Sequence, residues 1–142
     1  MAYRASRVGR RIEPRSYSWS AILVGIVLLL VGLAIIAYWV IFVMRGNMPE
    51  GLWTVVGNQY IVYHQAAELC MALLAIAGGF GLLIGRGWGM ATSLAALGAL
   101  LYTSVNSLGN SIRNEPSLTP IFLAVLGVTL VCFIALHFSR RY

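Results

Sequence analysis

The sequence predicts an all-α integral membrane protein, a four-helix bundle with both termini on the cytoplasmic side. Three observations carry this expectation. The 142 residues are 60% hydrophobic and only 10% charged, too apolar for a soluble domain of this length. The apolar residues fall into four blocks near the ~20 residues that cross a bilayer as a helix. The cations sit between the blocks and at the chain ends, where a membrane protein keeps them.

Residues 1–18 form a polar leader that contains Arg4, Arg7, Arg10, Arg11 and Arg15. A basic leader before an apolar block can mark a cleaved signal. The block from Trp19 to Met44, however, far exceeds the roughly 7–15 residues of a signal core, and no Ala-x-Ala site ends it. It is expected to be the first spanning helix, 19–44, with Tyr17 and Trp19 at one interface and Tyr38 and Trp39 toward the other. Gly46, Asn47, Pro49 and Gly51 punctuate a connection over 45–57. The second helix follows at 58–84, and Gly85-Arg86-Gly87 is a tight turn into the third, 88–110. A connection over 111–117 leads to the fourth helix, 119–138. Pro120 lies in its first turn, where a missing N–H costs nothing, and 139–142 is a short tail.

All the cations are arginine, and their distribution sets the orientation. The leader, Arg86, Arg140 and Arg141 fall on one side, and only Arg45 and Arg113 on the other. The Arg-rich side is the cytoplasmic one by the positive-inside rule, so the expected location is the cell (inner) membrane with the 45–57 and 111–117 connections outside.

The most informative stretch is Tyr60-Ile-Val-Tyr-His64-Gln-Ala-Ala-Glu68-Leu-Cys70. Glu68 is the only acid surrounded by hydrophobic sequence. His64 lies four residues earlier, one turn away on the same helical face. A carboxylate in hydrocarbon is expensive, by at least ~2.5 kcal/mol, so it normally faces a bundle interior or a wet cavity and has a partner. The expected topology places His64 in the outer half of the second helix, roughly 9 Å below its start at ~1.5 Å per residue, and Tyr102 and Asn106 at a similar depth in the third. A small face of Ala91, Ala95 and Ala99 is expected to let the third helix approach the second closely. The candidate ligand- or proton-binding residues are therefore His64, Glu68, Tyr102 and Asn106. They form either an outward-facing polar pocket or a hydrogen-bonded joint between helices.

Several function classes are not supported. One His, one Glu and an amide make a poor metal site, and no Cys is near enough in sequence to complete a zinc tetrahedron. The other histidine, His137, belongs to the opposite end of the membrane, so the two cannot share a haem iron. No cofactor is expected. Cys70 and Cys132 lie at comparable depth inside apolar blocks, where buried free Cys behaves as a small hydrophobe. The +6 charge does not indicate nucleic acid, because the arginines flank membrane segments and form no patch with stacking aromatics. With no nucleophile–base pair or carboxylate dyad, an enzyme is not expected. The leading expectation is a non-catalytic polytopic protein whose partners are the bilayer and either copies of itself or other membrane subunits. The alternative is a small oligomeric transporter or channel, with proton or ligand coupling at Glu68 and His64.

Overall fold

The computed structural model describes residues 18–45 and 59–139. The basic leader, the connection over 46–58 and the tail 140–142, to which several expectations apply, lie outside the described residues. The described chain consists of α1 (Trp19–Met44), α2 (Gln59–Leu83), α3 (Gly87–Asn114), a single 3-10 turn (Pro116–Leu118) and α4 (Thr119–Ser139). Among the described residues there is no strand, and each of the four helices is long and apolar enough to cross a membrane. Each helix packs against its neighbour in the chain, and α4 returns to α1, most thinly of the four pairs.

Both joints use local chemistry. α2 ends in a Schellman motif: Gly85 has φ of 69°, Gly85 N–H donates to Leu82 O at 3.2 Å, and Arg86 N–H donates to Gly81 O at 2.9 Å. Glycine adopts this left-handed conformation without the Cβ clash other residues incur. At the other joint α3 runs four residues past the boundary expected at Asn110. Ser111 explains the extension. It is buried, its hydroxyl donates to Leu108 O at 2.9 Å, and its Oγ lies 3.2 Å from Thr119 Oγ1, tying the end of α3 to the start of α4.

The helices meet along glycine seams. A Cβ on Gly79 of α2 would lie 2.5 Å from Gly25 O of α1, and one on Gly32 would lie 2.8 Å from Ala72 O. Across the other face of α2, a Cβ on Gly78 would lie 2.8 Å from Ser93 Cα, and Gly81 and Gly89 meet backbone to backbone. Removing the Cβ lets membrane helices approach within range of dense dispersion contact. The buried side of α3 is accordingly Gly89, Ser93, Ala96, Leu97, Leu100 and Ser104. This corrects the expected face of Ala91, Ala95 and Ala99: Ala91 and Ala95 are exposed and Ala99 is half-buried. The glycine seam with α2 turns them outward.

Three threonine hydroxyls bond within their own helices, whereas the buried Ser93 Oγ on α3 has no hydrogen-bond partner among the described residues. Thr92, Thr103 and Thr129 donate to Trp88 O, Ala99 O and Val125 O at 3.0, 3.2 and 2.7 Å. One end of the bundle is closed by hydroxyls from both ends of the described chain. Ser18, Ser20 and Ser139 lie within 2.5–2.8 Å of one another.

Candidate functional site

The site forms where α1 ends and α2 begins. Ser18, Gly25, Gly32 and Trp39 are spaced seven residues apart, so they return to the same side of α1 every two turns. Gly25 and Gly32 bring the α2 backbone against this side, and Trp39 continues the line to the level of Glu68. On α2, His64 and Glu68 stand one turn apart, and their Nε2–Oε1 distance is 3.2 Å. The indole N–H of Trp39 donates to Glu68 Oε2 at 2.7 Å. Indole nitrogen is a donor only, so Glu68 must be the acceptor here. Both carboxyl oxygens therefore have a nitrogen partner, one within α2 and one on α1.

The indole is held by its neighbours. Its ring meets Tyr38 and Phe42 edge-on, with centroids 5.3 Å away in each case. Edge-to-face packing of this kind favours one ring orientation, which aims the N–H at the carboxylate. The cluster is partly covered, with side-chain exposures of 28% for His64 and 16% for Glu68. Gln65, between them in sequence, is buried at 8% exposure.

Of the four residues expected to assemble, the structure brings His64 and Glu68 together. Tyr102 is 74% exposed, and Asn106 is also exposed. The reason is the rotation of α3 described above. Thr103, the neighbour of Tyr102, faces α2, where its hydroxyl lies 3.2 Å from Met71 Sδ. Trp39 takes the place expected of an α3 residue: besides its expected position toward one interface, it bonds Glu68. The missed signal was the seven-residue spacing that carries Gly25 and Gly32 through to Trp39.

Other candidates disperse. Cys132 is buried and Cys70 exposed. His137 lies at the opposite end of the bundle, exposed and edge-on to Phe138 at 5.8 Å. Among the described residues no three His, Cys, Asp or Glu side chains come close enough to hold a metal ion. A cavity of about 190 Å³ lies away from Glu68, between α1, α3 and α4, with Val31, Leu97, Leu100, Val128, Thr129 and Cys132 in its wall. Its walls are apolar, since Thr129 spends its hydroxyl on Val125 O. The arrangement at Glu68 can join two helices and can hold or pass a proton between carboxyl and imidazole.

The chain belongs to a family described as a domain of unknown function (DUF8058), whose model matches residues 19–142. The match takes in all four helices and starts where the basic leader ends. No curated protein and no solved structure gives a significant match.

Proposed function

We propose that this chain is a small, non-catalytic, multi-pass protein of the cell (inner) membrane that acts as an oligomer or as a subunit of a larger membrane assembly. Both termini are cytoplasmic, and the Glu68 cluster lies in the outer half. The observation that carries this reading is the engagement of both Glu68 oxygens, by Trp39 at 2.7 Å and His64 at 3.2 Å. The only acid within the four helices thus joins α1 to α2. A hydrogen-bonded polar residue that fixes one helix against another is a common use of polarity in membranes. Two further observations support this: Thr92 and Thr129 spend their hydroxyls within their own helices, and the cavity between α1, α3 and α4 is apolar.

A second reading is proton- or ligand-coupled transport at His64 and Glu68. The partial exposure of the pair, 28% and 16%, favours it. The cavity between α1, α3 and α4 is apolar and lies away from the pair, so a pathway at Glu68 would form between copies.

Purification of the full chain from its native membrane in mild detergent tests the first reading. A homo-oligomer or a complex with foreign membrane subunits is expected. A monodisperse monomer that moves protons or a solute across liposomes, and loses this with Glu68→Gln, overturns it in favour of the second.

A further inference from the structure

The cavity of about 190 Å³ between α1, α3 and α4 lies deep in the apolar run of each helix. Val31 in its wall is about 20 Å from the end of α1 at Met44, and Val27 about 12 Å from the start at Trp19, at ~1.5 Å per residue. A bilayer's hydrocarbon core is ~30 Å thick, so the cavity falls near its midplane. The floor is buried and consists of Leu28, Leu97, Leu100, Thr129 and Cys132. The rim is not buried. Val128 is 47% exposed, Ala124 is exposed, and Val27 and Val31 are half-buried. α3 contributes only buried residues to the wall. The open side therefore lies between α1 and α4, the two neighbouring helices that pack most thinly.

We propose that this cavity is a binding site for the end of one lipid hydrocarbon chain, which enters sideways between α1 and α4. Wall chemistry, size and depth select that occupant. The wall offers no free polar group, because Thr129 donates its hydroxyl to Val125 O at 2.7 Å and a buried thiol such as Cys132 behaves as a small hydrophobe. Water has no partners there, and apolar cavities of about 150 Å³ stay dry and take up apolar molecules instead. No aromatic ring lines the cavity, so a ring system finds no stacking surface. The methyl groups of Val, Leu and Ala suit a flexible CH₂ chain. A helix with its side chains is about 10 Å across, too wide to enter such a cleft, so a second copy could only lie over the rim. At the midplane a lipid presents its chain end and not its headgroup. Inside the cleft that chain end meets protein on three sides, at a packing density that liquid hydrocarbon does not reach. The site is independent of whether the chain acts as a subunit or as a transporter, and requires only that the helices span the membrane.

The test is photolabelling of the full chain in liposomes, with the modified residues mapped by peptide mass spectrometry. One probe is a phosphatidylcholine with a diazirine at the methyl end of a chain, and the other carries the diazirine beside the headgroup. The chain-end probe is expected to modify Ala124 and Val128 about tenfold more than Leu30 and Val131, although these two, outside the cavity, are 62% and 66% exposed. The headgroup-side probe should leave the cavity unmodified. Val128→Trp fills the rim and should cut labelling of Ala124 about tenfold while leaving Leu30 unchanged. Ala124→Trp should do the same to labelling at Val128, with helical content preserved in both. Labelling that follows exposure alone, with Leu30 and Val131 ahead of Ala124 and Val128, overturns the proposal, and this wild-type pattern decides even where a substituted chain does not fold. Cavity labelling that both substitutions leave intact also overturns it. So does a disulfide between copies formed by Val128→Cys in a Cys70→Ala, Cys132→Ala background, which would put a second chain over the cleft.

Discussion

Replacing Trp39 with Phe removes one hydrogen-bond donor and little else. The Phe ring keeps the edge-on contacts with Tyr38 and Phe42, whose centroids lie 5.3 Å from the indole. What is lost is the N–H that meets Glu68 Oε2 at 2.7 Å. Glu68 is only 16% exposed, so water replaces that donor poorly. Leaving a largely buried acceptor without its partner costs about 1–3 kcal/mol. Glu68→Gln keeps a carbonyl that can accept from Trp39 or from His64 and should cost less. In Trp39→Phe/Glu68→Gln the two effects should not add, with a coupling of about 0.5–3 kcal/mol as expected for residues in direct contact. The assay is reversible unfolding in mixed micelles, followed by far-UV circular dichroism, on the four proteins of this cycle. If Trp39→Phe leaves stability unchanged within ~0.3 kcal/mol, or if the two substitutions are additive, the joint between α1 and α2 does not rest on this bond and the structural reading of Glu68 fails.

Three further outcomes are expected. Gly79→Ala places a Cβ 2.5 Å from Gly25 O and should destabilise the bundle by about 1–3 kcal/mol through overpacking; Gly127→Ala, where nothing lies within 4 Å, should be neutral or stabilising, and equal melting temperatures for the two would contradict the seam. Asn47→Cys should be labelled by an impermeant thiol reagent on intact cells and Arg140→Cys should not, both in a cysteine-free background; the reverse pattern would invert the topology and move the Glu68 cluster to the cytoplasmic half. Hydrogen exchange in micelles should open α4 before α2 and α3, because α4 buries only Thr129, Cys132 and Leu136 and packs beside the cavity; protection of α4 that outlasts that of α3 would refute the view that it is the weakest-held helix.

The four helices were legible because spanning a membrane demands long apolar runs, and such runs survive any detail of packing. Local punctuation was legible for the same kind of reason: Gly85 must adopt a positive φ at the α2–α3 turn, and Pro120 belongs at a helix start. His64 and Glu68 could be paired because a helix sets residues four apart on one face whatever surrounds it. Rotation of one helix about its axis was not legible. The alanines of α3 form a stripe at helical spacing, and so do Gly89, Ser93 and Ala96 on the other side. Composition alone does not decide between two small faces. The decision is made by backbone fit, where Gly81 meets Gly89 and Gly78 meets Ser93. Once α3 is turned that way, Tyr102 and Asn106 leave the cluster together, since they share a side of the helix with Ala95. The bond from Trp39 to Glu68 was missed because an aromatic near a helix end already suits an interface, and only the seven-residue register from Gly25 through Gly32 points to its contact with α2.

Two groups of polar side chains on the helices contrast in their placement. The inward group is Trp39, His64 and Glu68, and its polarity is spent within one chain, where it joins α1 to α2 at the end that α1's glycine seam leaves open. The outward group is Tyr102, Asn106 and the small residues beside them, all on the exposed side of α3. Folding alone accounts for the first group, because a carboxyl inside an apolar bundle requires donors. It follows that substitutions at Trp39 or Glu68 should act on the stability of the isolated chain, because each removes a partner that the other has no means of replacing within the bundle.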